Sequence, residues 1–491
     1  MTTIKYRGNK PTSIPVPRPS RRKLQAVSLS SRMPEIPISN LLIADHVPPD
    51  ELSRLKQLVY DAQRKLQRLL PPMREGLPPI DDDPQAALDA AYTRAHRALF
   101  GPPRLPAEYT GDIELGRLAV ASPYACYLER APEGGYQWDF RQLGRYERHP
   151  GLRSPGARVL FRVDTSRRRL EAVRIDSELG ASAPGDSHWP LARKLALCAA
   201  TTHLTLVRHL EWIHLIAGTA VAIATHNRLP ANHPLRRLLC PHIHGTHNSN
   251  LLTTKSQLTP GGDFEAIFSF THRGMCKLLE EARDGFDLLH LDPELDARRR
   301  GVLDGGFDIP VLDNRLELFE VMHAHTTRYL DVYYDSDESL RRDAAFLEWV
   351  RELDHLLPGG TRALLGATPT LASTARMLAT FIYFESVEHE SLGTCLWNYQ
   401  VWTHVQPVRV YQNGQREPVD VYQRLINANF ILNVRRTQLM KDFSPLALDP
   451  KGAAAMRAFL GDLEALRQRM SPEPHEPWRL RPDILEANIN V

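Results

Sequence analysis

The chain is expected to fold as a mainly α-helical protein with a long buried central helix and a small β-component. Three observations carry that expectation. The residues around His209 and His214 lie in an apolar stretch ending at His226, with no proline and only Gly218 as a breaker, the pattern of a helix buried on most sides. Elsewhere apolar residues recur at helical spacing, as in Leu52, Leu55, Leu58, Val59, Ala62 and Leu66. Convincing strand signals are few, and the best is the pair 159–163 and 169–175.

Composition bounds the function classes. With 491 residues, 42% of them hydrophobic, the chain can bury a large core. A net charge of +3 gives no general electrostatic reason for a nucleic-acid partner. The five cysteines, Cys126, Cys198, Cys240, Cys276 and Cys395, are scattered and lack CxxC spacing, which argues for a reducing compartment and against a structural zinc. No apolar run reaches the roughly 18 residues of a membrane-spanning helix, and the basic N-terminus lacks an apolar signal core, so a cytoplasmic protein is expected.

Residues 1–50 read as a basic, proline-rich arm. Lys5, Arg7, Lys10, Arg18, Arg21, Arg22 and Lys23 precede the first acid, Glu35, and Pro11, Pro15, Pro17 and Pro19 are interleaved with them. Such a segment is expected to run extended over the surface, with peripheral contact to an anionic membrane as its possible use. Residues 51–110 read as N-terminal helices. Asp50 is a plausible cap for the first, Pro71-Pro72 stops it, and a second runs from about residue 84 to 99. The remainder, 111–491, reads as one domain, with a β-hairpin at Val159–Val163 and Arg169–Ile175.

The central helix carries the most informative pair, His209 and His214. Two imidazoles in a buried helix are costly unless hydrogen-bonded or metal-bound. In a regular α-helix residues five apart point roughly 140° away from each other, at ~100° per residue. A π-bulge would bring both rings onto nearly one face, and such bulges occur often at functional sites. Far downstream, Met377–Phe384 reads as a helix whose apolar face leads to His389.

These blocks resemble the lipoxygenase family. The likeness rests on Trp189, Ala192, Lys194, His209, His214, Ala224-Thr225-His226, Leu229-Pro230, His233-Pro234, Leu238-Leu239, Pro241-His242, Thr246 and Asn250. It continues through Gly261-Gly262-Asp263-Phe264 and through Tyr333-Tyr334, Asp337, Leu340, Asp343, Trp349 and Glu352, covering roughly residues 110–491. The chain looks like a short, bacterial-type member without the N-terminal β-sandwich of plant and animal relatives.

The resemblance implies a lipoxygenase-like helical catalytic domain and a ligand set. His209, His214 and His389 match the family's three histidine ligands, and Val491 matches the terminal residue whose carboxylate completes the set. The position that elsewhere holds a weak ligand, His, Asn or Ser, is Gly393. His233 and His242 match positions that do not ligate; His203, His244 and His247 are expected to be structural or at the surface, and Glu211 to be a partner of the pair, solvent-facing or a core residue. The implied metal is Fe2+/Fe3+, one per chain, with manganese possible because the same ligand types serve both. The implied chemistry uses a metal-bound hydroxide and no side-chain nucleophile: O2 enters a polyunsaturated fatty acid and a hydroperoxide leaves. The alternatives are an oxygenase or oxidase of the same fold acting on another apolar substrate, and a catalytically silent lipid-binding homologue.

Overall fold

The computed structural model describes residues 12–19, 22–52, 92–99, 114–395, 406–413, 437–473 and 476–489, with Leu58, Ala62, Ala86, Asp89 and Ala90 isolated between them. The expected helix at 49–70 and most of the one at 84–99 therefore fall outside the described residues, save the turn Arg94–Leu99. Val491 falls outside them too.

The long central helix is present. Helix α1 spans Trp189–Arg228, starting with Pro190 in its first turn, where the missing N–H costs nothing, and ending where Leu229, which precedes Pro230, turns extended. Alanines at 192, 196, 199, 200, 217, 220, 222 and 224 are buried along it and let neighbouring elements approach closely. By length and composition α1 could cross a bilayer, but 94% of its most apolar window is buried inside the protein, as in the core helix of a globular domain.

Around α1 stand α2 (Pro234–Ile243), α3 (Thr246–Thr253), α4 (His272–Ala282), α5 (Pro310–Tyr333), α6 (Ala344–Leu356), α7 (Leu371–Tyr383) and α8 (Pro450–Met470). Helix α5 packs between α7 and α8, while α6 lies against the C-terminal third of α1. The residues at 343–352 that the sequence singled out make this last junction. Trp349 Nε1 donates to Thr225 Oγ1 (3.1 Å), Arg228 pairs with Glu352 (2.6 Å), and His233 contacts Asp343 (2.9 Å) at the cap of α2.

The β-component comprises two small antiparallel sheets. Strands β1 (Ala26–Ser28) and β2 (Leu42–Ala44) form one; β3 (Glu129–Arg130), β4 (Tyr136–Asp139), β5 (Ala157–Asp164), β6 (Arg169–Ser177) and β7 (Gly180–Ser182) form the other in chain order. The expected hairpin is β5–β6, paired from Ala157↔Ser177 to Asp164↔Arg169 with a one-residue register shift between Leu160 and Phe161.

The basic arm differs from expectation in its second half. Residues 22–52 do not run loosely over the surface: Leu29, Ile36, Ile38 and Leu41 are fully buried in the main core, and Leu24 and Met33 nearly so. The charge pattern belongs to the first 23 positions, whereas the apolar residues that follow are dense enough to offset their ordering entropy.

Candidate metal centre

The pair on α1 faces one way because the helix changes type. From Leu204 to Gly218 the helix is π, with i→i+5 hydrogen bonds, so residues five apart stack on one face. A second chain segment meets this one. Helix α7 is capped by a reciprocal box between Thr370 and Ser373 and passes into a π turn at Phe384–Glu388; after His389 a further π turn covers Ser391–Cys395.

The three histidines come together. Ring centroids lie 4.9 Å apart for His209–His214, for His209–His389 and for His214–His389. One nitrogen from each lies within 4.8 Å of the others. His214 Nε2 and His389 Nε2 are 3.1 Å apart, close to the ~3.0 Å separating two adjacent ligands on an ion with bonds of about 2.1 Å. His209 Nε2 is shielded from solvent and has no hydrogen-bond partner, so its lone pair or proton is unsatisfied by the described protein. These donors fit a divalent metal of intermediate softness.

Electrostatics favour the neutral, ligating form. Burial, with His214 adding to it, holds His209 well below the ordinary imidazole range. Burial likewise lowers His214 to about 4, against a smaller opposing effect from its bond to Asn250. That bond also sets the tautomer: Asn250 Nδ2 donates to the His214 carbonyl (2.7 Å) and to Thr219 Oγ1 (3.0 Å), which leaves Oδ1 to accept from His214 Nδ1–H (3.1 Å). Thr219 Oγ1 donates in turn to the His214 carbonyl (3.0 Å). Nε2 is thereby left with its lone pair toward the other histidines. Asn250 stood among the resembling positions, but nothing in the sequence tied it to His214, 36 residues away.

Gly393 lies beside the trio, where an ideal Cβ would be 2.9 Å from His209 Nε2. Glu211, between the paired histidines, is fully buried with no hydrogen bond to either ring, and burial pushes its carboxyl well above the usual range. It is a core residue and orients neither imidazole.

The C-terminal segment, as far as it is described, is held against α2 and the end of the π segment. Leu485 accepts from Leu439 N (2.9 Å), Ala487 N donates to Thr437 O (2.7 Å), and Asn488 Nδ2 donates to Pro241 O (2.8 Å). His242 Nδ1 donates to Ala487 O (2.8 Å), so this histidine anchors the segment. Ile489 is fully buried against Gly218 at the end of the π segment.

His242, His244 and His247 do not form a group of their own. His247 instead approaches Glu51 and His226 in a second buried cluster that the sequence did not reveal, since its members come from three distant segments. There Arg236 donates to His226 Nδ1 (2.7 Å), so His226 Nε2 carries the proton and donates to Glu51 (2.8 Å). A metal at Nε2 would need Nδ1 protonated and facing a guanidinium, so this cluster reads as a hydrogen-bonded latch for the segment that carries Glu51.

A large, mainly helical domain thus gathers three buried or half-buried imidazoles from two π-distorted helices into a group that could hold a metal ion. The chain belongs to the lipoxygenase family, whose model matches residues 165–429. Mouse polyunsaturated fatty acid lipoxygenase ALOX12 is 24% identical over 308 residues, 58% of this chain and 46% of the relative. Mouse polyunsaturated fatty acid lipoxygenase ALOX15 is 28% identical over 315 residues, with the same coverage of both chains. The chain thus spans about half the length of these relatives. Among solved structures, a lipoxygenase variant in complex with arachidonate superposes with a TM-score of 0.79 at 17% identity, covering 96% of this chain and 80% of that one. The manganese lipoxygenase of Gaeumannomyces graminis gives 0.73 at 15% identity, covering 92% and 94%. The fold is that of the lipoxygenase catalytic domain.

Proposed function

We propose that the protein is a non-haem iron dioxygenase that converts polyunsaturated fatty acids to hydroperoxides. The observation that carries this reading is the convergence of His209, His214 and His389 within a lipoxygenase fold. His209 Nε2, His214 Nε2 and a nitrogen of His389 would hold the ion, with the carboxylate of Val491 as the proposed fourth protein donor. Bound there, iron or manganese would supply the one-electron redox chemistry that removes a hydrogen atom from an activated carbon and lets O2 add to it.

The chain's own contribution is positional. Asn250 and Thr219 fix the His214 tautomer, and burial keeps the rings uncharged so that no proton competes for their lone pairs. Leu210, Ile213, Leu215, Val387 and Leu392, the near neighbours of the histidines in sequence, are all buried and keep this region dry. Gly393 offers no donor, which favours a more open coordination sphere than relatives with a side chain there, and supports as a second reading a non-fatty-acid apolar substrate.

Metal content of the purified protein, read beside oxygen uptake on linoleate and arachidonate, tests this. Stoichiometric iron or manganese, uptake and a conjugated-diene product support it, and deletion of Val491 then abolishes activity while the fold persists. Metal without uptake points to the second reading. Protein that neither retains nor takes up metal overturns the ligand set and leaves a lipid-binding role.

A further inference from the structure

The third histidine sits between two π turns, Phe384–Glu388 before it and Ser391–Cys395 after it. Such turns are rare, and the rotation of both decides where His389 points. One guanidinium holds the pair together. Arg315 of α5 has Nη1 3.5 Å from Oε2 of Glu388, the residue before His389, and its Nη2 donates to Ser391 Oγ at 2.5 Å, two residues after it. The planar fork thus straddles the histidine from a neighbouring helix.

The other oxygen of Glu388 faces α1. Oε1 is 3.9 Å from Nη1 of Arg208, the residue before His209, and that nitrogen is fully buried. Arg208 is held from its far side as well: Nη2 donates to His290 Nδ1 (3.3 Å) and lies 3.9 Å from Asp296, and Tyr127 and Trp212 flank the guanidinium at 5.4 and 5.5 Å. Tyr383 OH also donates to Glu388 Oε2 (3.4 Å). Arg208, Arg315, Tyr383, Glu388 and Ser391 are all buried.

Stability alone does not account for charges in such a place. They lose their hydration there, and well-packed apolar residues of similar volume hold a core at least as well. Apolar contacts, however, tolerate a small rotation of one helix against another, whereas opposite charges joined at fixed distances resist it. We infer that Arg315 is a positioning residue of the metal centre. With Glu388 and Ser391 it sets the rotation of the segment carrying His389, and through Glu388 and Arg208 it ties that segment to the helix carrying His209 and His214. The inference rests on the ligand set proposed above and adds to it the side chains that aim the third ligand.

Cobalt(II) is the probe, because its visible absorption reports the geometry of its donors whether or not any substrate is oxygenated. The full-length protein loaded with Co2+ is compared with three variants. Ser391→Ala removes one arm of the clamp and leaves every charge paired; Arg315→Met with Glu388→Met removes one charge of each sign and leaves Arg208 its Asp296; Arg315→Lys keeps the charge without the fork. Displaced cobalt bands are expected in all three at parental helix content. Affinity, read by chelator competition, should be roughly tenfold lower in the double variant, with smaller losses in Ser391→Ala and Arg315→Lys. Parental bands and affinity in Ser391→Ala, or in the folded double variant, overturn the inference, and Ser391→Ala decides alone where the double variant does not fold. A parent that binds no cobalt overturns the ligand set itself, and the positioning role with it.

Discussion

Gly393 and His209 are in direct apposition: a Cβ built on the glycine would lie 2.9 Å from His209 Nε2 and 3.2 Å from Cε1. That is closer than carbon and nitrogen pack, so any side chain at 393 must displace the ring. Gly393→Ala is therefore expected to push His209 off the common focus of the three rings and to lower metal occupancy, with little change in helix content. Metal analysis beside circular dichroism checks this, and a Gly393→Ala protein with full occupancy would show that the ring has room to give.

Asn250 is expected to matter nearly as much as a ligand. Asn250→Leu removes the acceptor for His214 Nδ1–H and one of the donors to the His214 carbonyl, and loss of such an orienting partner costs roughly 10–100-fold in metal affinity or activity. Competition for the metal with a chelator of known strength gives the affinity directly. Affinity within twofold of the parent would mean that Thr219 and packing alone hold the ring.

The C-terminal segment depends on a second glycine. At Gly218 an added Cβ would lie 2.6 Å from Ile489 Cδ1 and 2.9 Å from the Ile213 carbonyl, and overpacking of this kind costs about 1–3 kcal/mol. Gly218→Ala is expected to loosen the C-terminal segment and expose it to carboxypeptidase, while the distant β5–β6 hairpin stays protected. Digestion followed by mass spectrometry reads this, and an unaltered cleavage pattern counts against it.

Acid should weaken the fold through buried histidines. Burial, aided by Arg236, lowers His226 to about 3, and burial lowers His247 to about 4, while an unfolded chain titrates near 6.5. As pH falls below about 6.5 the unfolded state takes up protons that the folded state refuses, so stability falls. Glu51, whose carboxyl burial raises, acts in the opposite sense, and comparison with His247→Gln isolates the imidazole. Melting temperature from pH 7.5 to 5 should drop less steeply in the variant; parallel curves would contradict the assignment.

Local pattern made much of this legible. The apolar run ending at His226 announced the buried helix because periodicity and the lack of breakers are properties of neighbouring residues. The spacing of His209 and His214 called for a π distortion because two costly imidazoles had to share a face, and the helix is π over Leu204–Gly218. Alternation around Asp164–Arg168 likewise announced β5 and β6. The burial of residues 22–52 was hidden by the charges before them.

By itself, then, the sequence determined that the central segment is a buried helix, that this helix must widen its turn, and, through resemblance, that His389 belongs with a pair on another helix. Only the tertiary structure decided what meets what. His389 reaches His214 across 175 residues, Asn250 locks a tautomer, Ile489 fits against Gly218, and Glu51 closes on His226. Those pairings depend on helix packing, loop paths and the volume each side chain leaves its neighbours, and none of these is encoded in the spacing of residues along a single element.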